Sequence, residues 1–402
     1  MPGPVPRRIR RLLGTIVGLS IAATAVAAAL LWPPHPHPAT PANLSTPVKP
    51  DAGTVILVNN YPCQNYLSGN QGDLPAATAP PQCQTAQVAM RSGPDKGQVE
   101  SVNQAGEAGV PTLHTGDRVL LVRGVGPDNR PSYGFYDFER SNPLVLLALA
   151  FAVVVVVVGR WRGVGALVGL GITWLVMVRF ILPAILEGRD PVSVSLVGAA
   201  LIVLVVLFVA HGVNARTATA VLGTLASLAL VEVIAQIEVH AAALSGLATE
   251  ESQYLQNVVG DVRIQGLLLG GVVIGSLGVL NDITVTQASS VWEIHDADPA
   301  RGFGGLYRSG MRIGRDHIAS TVYTLVLAYA GAALPTLLLF TLAGQRLGQL
   351  VTSEQIAEEV VRTLVGSIGL VLAVPLTTAL AALVVTQGTP RRGAPTAEAA
   401  AA

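Results

Sequence analysis

Three features of this 402-residue sequence predict a polytopic α-helical membrane protein of about eight transmembrane helices, with a small extracytoplasmic β-rich, barrel-like domain between helices 1 and 2. Hydrophobic residues make up 51% of the chain and charged residues 12%, too apolar a mixture for a soluble domain of ordinary composition. Apolar runs recur near the length that crosses about 30 Å of hydrocarbon. Between the first and second runs, a polar stretch alternates short β-like segments with Gly, Pro and Asp. Formal net charge is zero, so total charge names no partner, and no basic, aromatic-bearing stretch argues for nucleic acid. The partners expected are the lipid bilayer and an unidentified transported substrate or protein, with oligomerisation left open. No cofactor and no metal are expected.

Residues 1–11 form a basic cytoplasmic start carrying Arg7, Arg8, Arg10 and Arg11, and residues 12–32 an apolar anchor. Ala25-Val26-Ala27 would pass as a signal-peptide cleavage motif, but the run exceeds the usual length of such a segment, which favours a retained helix. Residues 33–50 are a Pro-rich linker in which His35 and His37 read as solvated rather than metal-binding. In residues 51–140, strands are expected at Thr54–Val58, Thr85–Met90, Gln98–Val102, Arg118–Val122 and Ser132–Phe138. The turn at Thr115-Gly116-Asp117-Arg118 fits a barrel corner. Cys63 and Cys83 both fall here; outside the cytosol they read as one disulfide, against the alternative of two unrelated buried thiols.

Residues 141–387 make a seven-helix membrane domain and residues 388–402 a disordered cytoplasmic tail. The expected spans are Pro143–Val158, Val164–Leu182, Val192–Ala210, Ala218–Val239, Ile264–Leu280, Ile318–Leu342 and Leu364–Val385. Cations gather in alternate loops, at Arg160 and Arg162, at Arg216, at Arg301 to Arg315, and at Arg391 and Arg392, while the other loops set Arg189, Arg263, Arg346 and Arg362 among twice as many acidic residues. Both termini are therefore expected in the cytoplasm and residues 33–140 outside it. Gly266/Gly270 and Gly271/Gly275 each match a small-residue spacing that lets helices approach, for which packing inside the chain is the plain explanation.

The chemically interesting residues concentrate between Gly270 and Ser320. Asp282, Thr286, Ser289 and Glu293 share one helical face, and Asp316 and His317 open the next apolar segment. An acidic side chain on a membrane helix is costly and is expected to face the bundle interior. The ion-coupling candidates are Asp282, Asp316, Glu232 and Thr286, supported by Asn281, Glu293, His317 and Gln236. Each has a plainer reading. Asp316 would pair with Arg312 or Arg315 and complement a helix dipole; Asp282 would be a solvated helix end; His240 and His317 would be interface residues. Glu232 has no cation in its own segment. The run Glu293-Ile294-His295-Asp296-Ala297-Asp298 has metal-ligating residue types but no ligand spacing, so it reads as a solvated loop.

Four stretches carry a resemblance: GDRVLLV from Gly116, YDFERSNPL from Tyr136, LNDITVTQASSVWEI from Leu280, and GRDHIASTVYTLVLAYAG from Gly314. With them, residues 50–387 resemble the YibE/F family of bacterial multi-pass membrane proteins, which implies the bacterial cytoplasmic membrane. The last five helices are less closely similar to the SecD/SecF branch of the RND superfamily, a resemblance that implies proton coupling at the position of Asp282. Two extra helices, a single helix set and a smaller outer domain depart from that branch. The expected function is transport or assistance to export, proton-coupled through Asp282, with no enzyme activity. The alternatives are a non-catalytic scaffold whose outer domain binds a partner, or an intramembrane aspartyl protease using Asp282 and Asp316. Gly314-Arg315-Asp316 lacks the Gly-x-Gly-Asp pattern of such proteases, and a serine variant using Ser276 with His317 departs further from its own.

Overall fold

The computed structural model describes residues 7–34, 49–62, 82–104, 111–125, 131–260, 262–344 and 347–387. Cys63, His35, His37, most of the expected linker and the tail from residue 388 lie outside the described residues. The chain divides into a sheet unit, residues 42–154, and a helical unit made of residues 1–41 and 155–402.

The sheet unit has all five expected strands: β1 (Asp51–Pro62), β2 (Gln82–Met90), β3 (Val99–Gln104), β4 (Arg118–Val125) and β5 (Pro131–Phe138). They pair antiparallel in the order β3-β2-β1-β4-β5. Alternation places Val55, Ala86, Val88, Val102, Val119, Leu121 and Tyr133 on one face, where they form the core with Leu113. Leu113 is tied down by its amide, which donates to Gln84 Oε1 at 2.8 Å. The expected corner forms at Gly116, whose φ of 96° suits glycine and whose amide donates to the Val55 carbonyl at 2.8 Å. The barrel expectation needs correction, because the sheet is not closed: β3 and β5 are its edges. Bulges between Val55 and Leu57 and between Leu120 and Leu121 coil it. The two edges come within 8 Å, Cα to Cα, and Val102 and Tyr133 seal the interior by side-chain packing without a fifth ladder. Cys83 is buried in β2; the expected disulfide to Cys63 involves a residue outside those described.

Tyr133 is 5% exposed and its hydroxyl donates to Asp95 Oδ2 at 2.6 Å, with Arg123 Nε 3.3 Å from the same carboxylate. Burial, reinforced by that bond and by the Asp95 charge, pushes the phenol from 10.0 up to about 12. The folded chain thus holds this proton more tightly than the unfolded chain does. The stabilisation it reports is complete below pH 10 and is lost as pH climbs towards 12. Ultraviolet titration of tyrosinate is expected to lose a late-titrating phenol in Tyr133→Phe; a profile identical in the variant would contradict this.

In the helical unit, α1 (Arg7–Leu31) is followed by α2 (Ser141–Val176), of which residues from Val155 onward belong to this unit. A single non-helical residue, Arg160 (φ 54°, ψ −134°), interrupts α2. Beyond it Gly163 returns against the Val155 carbonyl oxygen, a position with no room for a β-carbon. The chain therefore breaks at Arg160, between the spans expected at Pro143–Val158 and Val164–Leu182. A π-turn at Met177–Ile181 leads into α3 (Leu182–Leu186). Next come α4 (Pro191–His211) and α5 (Ala215–Ala241), whose first turns are capped by Asp190 accepting from the Ser193 amide at 3.0 Å and Asn214 accepting from the Thr217 amide at 2.9 Å. The remaining helices are α6 (Glu250–Val258), α7 (Ile264–Ala297), α8 (Phe303–Ala332), α9 (Leu334–Leu342), α10 (Leu347–Thr352) and α11 (Glu354–Thr386). Among the described residues six helices are long and apolar enough to cross a membrane, or seven if α8 and α9, bent by 59°, form one span. That count takes α2, broken at Arg160, as a single helix and includes α8 and α9 only when joined across their bend. The span expected at Ile264–Leu280 runs unbroken through its polar extension to Ala297.

The helical core is built by α4, α5, α7 and α11. Helices α7 and α11 run parallel: Gly366 faces Ser276, and Gln287 reaches Thr378. Helix α5 runs antiparallel to α7, with Thr224 opposite Thr284 at its start and Val239 beside Leu268 near its end. Gly266 and Gly270 lie against Pro191 and Ser195 of α4, so that small-residue pair serves packing inside the chain. Helix α1 lies along the bundle, with Leu13 in the cluster of Ala381 and Val385, and Trp32 stacked on Phe180 at 5.5 Å.

Candidate functional site

The interior of the helix bundle holds a layer of neutral polar groups. On α5, the Thr224 hydroxyl lies 2.6 Å from that of Thr284 on α7. One turn further along α7, Gln287 is fully buried; its Nε2 donates to the Gly310 carbonyl at 2.8 Å and to Thr378 Oγ1 at 2.7 Å. Thr378 in turn donates to the Val374 carbonyl at 2.6 Å. Gln287 thus joins α7 to both α8 and α11. It can do so because Gly310 and Gly314 let α8 close in: a β-carbon on Gly310 would lie 2.7 Å from Thr378 Cγ2. Gln287 Oε1 and Thr377 Oγ1, both buried, have no hydrogen-bond partner among the described residues.

The expected carboxylates are placed in contrasting settings. Glu232 on α5 is 5% exposed; Oε1 accepts from Gln236 Nε2 at 2.8 Å, while Oε2 is buried without a partner. It is an acidic group turned into the bundle, as expected for all of them. Asp282 is exposed, and only its backbone carbonyl is engaged, accepting from Thr286 Oγ1 at 2.7 Å. The face carrying Asp282, Thr286, Ser289 and Glu293 looks outward, because α7 buries its opposite side, Leu280, Ile283, Thr284, Gln287 and Val291. Glu293 forms an ion pair with Arg216 at 3.4 Å, tying α7 to the start of α5. Asp316 is exposed, pairs with neither Arg312 nor Arg315, and shares no hydrogen bond with Asp282. Asn281 Oδ1 and His317 Nδ1 are buried atoms without partners. Among the described residues no three His, Cys, Asp or Glu side chains come together as a metal site, and the run from Glu293 to Asp298 is no exception.

The structure therefore does not assemble Asp282, Asp316, Glu232 and Thr286 into one site. It singles out Glu232, and it adds Gln287, Thr284 and Thr378, which reasoning from charge passed over. Their signal was present: Thr284 and Gln287 fall at i, i+3 on the face of α7 opposite Asp282, and Thr377-Thr378 interrupts an apolar run.

Searches of curated proteins and of solved structures return no match. A family model described as YibE/F-like protein matches residues 147–387, more than half of the chain and the whole of the polar layer around Gln287, and the chain belongs to that family.

Proposed function

We propose that this YibE/F-like chain is a transporter or an export-assisting protein of the bacterial cytoplasmic membrane, proton-coupled through Glu232. In this reading the chain crosses the membrane eight times, α2 crossing twice by folding at Arg160. Both termini lie in the cytoplasm and residues 33–140 outside. The cation-rich alternate loops support that orientation. The observation that carries the mechanism is the buried Glu232 carboxyl with Oε2 unpaired. Low dielectric disfavours a lone charge, so binding and release of a proton there changes what the surrounding helices must accommodate. The SecD/SecF likeness suggests Asp282 for this role, but an exposed carboxylate is less suited to it. A non-catalytic scaffold is the second reading, favoured by the unpaired edge that β3 leaves on the outer sheet. The exposed and unconnected Asp282 and Asp316 lend no support to a proton-sharing protease dyad.

Proton uptake by vesicles reconstituted with the full chain tests this. Wild-type protein is expected to take up protons when a gradient is imposed, and Glu232→Gln, which keeps the bond to Gln236, to fall to the level of empty vesicles. Equal uptake by both proteins would remove Glu232 from the mechanism. No uptake by either would favour the scaffold.

A further inference from the structure

Helix α4 provides a depth scale for the bundle. It runs Pro191–His211 with no charged side chain before its terminal histidine, about 31 Å, the thickness of the hydrocarbon layer. Helix α7 runs beside it in the same direction, with Pro191 against Gly266 and Gly270. The far end of α4 is therefore level with α7 between Thr286 and Ser290. Asp282 falls one to two turns short of it, about 6 to 12 Å into the hydrocarbon. Helix α8 runs the opposite way, and Gln287, bonded to the Gly310 carbonyl and lying against Gly314, fixes its register. Arg315 and Asp316 then come within about a turn of the depth of Asp282.

All three of these charged side chains are exposed on the bundle surface, and none has a hydrogen-bond or ion-pair partner among the described residues. Charge facing lipid at that depth is costly, so this surface calls for a partner that brings charge of its own. Towards the other end of α7 the same stripe continues through Gly278, Gly275 and Gly271. A β-carbon on Gly278 or Gly271 would meet nothing within 4 Å, and one on Gly275 would lie 3.3 Å from the hydroxyl at the tip of Tyr329 on α8, which leaves room for another helix backbone beside Gly278 and Gly271.

We infer that a second copy of this chain covers the α7–α8 face in the membrane, with Asp282 of each copy against Arg315 of the partner subunit. A two-fold axis along the membrane normal keeps every residue of one copy at the depth of its counterpart. A carboxylate and a guanidinium at matching depth on one face are therefore brought together twice, and their pairing is the strong, charge-assisted kind. Complementarity with itself is what makes a second copy the occupant: a lipid offers this face no helix for the glycine stripe.

Native mass spectrometry of the full chain released from lipid nanodiscs tests the inference, with thermal melting to verify folding. The wild type is expected as a dimer, Asp282→Arg and Arg315→Asp each to weaken it at least tenfold, and the double variant to restore it. Both positions are exposed, so melting should change little. Should either single variant fail to fold, Gly278→Cys is read instead, and is expected to cross-link two copies under oxidation in membranes. A monomeric wild type, a dimer indifferent to both single charge changes, a double variant no better than the singles, or a Gly278→Cys chain that stays single would each overturn it.

Discussion

Gly369→Leu is expected to lower the thermal midpoint of the purified chain by roughly 3 to 5 °C, the consequence of about 3 kcal/mol of lost stability. Gly369 on α11 faces Val231 of α5, itself fully buried, and even a first side-chain carbon at residue 369 would overlap Val231 Cγ2. Valine is branched at Cβ and has little freedom to turn away, so the two helices must separate. Separation is costly inside a membrane, where close packing rather than exclusion of water holds helices together. Gly369→Ala should show the same sign with a smaller effect, and Val231→Ala in that background should recover much of the loss by removing the colliding methyl. A Gly369→Leu chain that melts with the wild type would mean that α5 and α11 do not meet at this point.

Phe180→Ala is the second large effect, about 3 to 5 kcal/mol. Phe180 is fully buried in the π-turn after α2, and it packs with Ala28, Ala184, Val194 and Ile264 beneath the stacked ring of Trp32. Removing the ring empties the place where α1 meets the bundle, and it forfeits an aromatic pair worth about 1 kcal/mol beyond burial. The end of α1 is then held chiefly by Ala28. Protease cleavage after α1 is expected to accelerate together with the fall in melting temperature. Unchanged cleavage would show that the Trp32–Phe180 stack does not anchor α1.

What the sequence made legible follows from what periodicity can carry. The five strands were placed within a few residues, because alternation survives in a sheet with one buried face, and the Gly116 corner was readable from its chemistry. Closure was not, since it depends on how far the bulges at Val55 and Leu120 coil the sheet. Helix existence was readable from apolar length, and so was the break near Arg160, since Gly159, Arg160, Arg162 and Gly163 interrupt the apolar run there. At the candidate site, charge drew attention to Asp282 and Asp316. A neutral amide, even with one oxygen unpaired, costs far less to bury than a charge, so Gln287 lies inside while Asp282 and Asp316 stand on the bundle surface. Glu232 was legible for the converse reason: its segment holds no cation to draw it to the surface.

Helix α7 is continuous from Ile264 to Ala297, 34 residues or about 51 Å, and so outreaches the roughly 30 Å hydrocarbon layer. Its length would give any tilt a long arm. With its first turns wedged against Pro191, a tilt of about 10° would carry Trp292 and Glu293 through roughly 7 Å. The Arg216 guanidinium that holds Glu293 sits near the far end of that arm, where a weak bond would oppose a small rotation with a long moment arm.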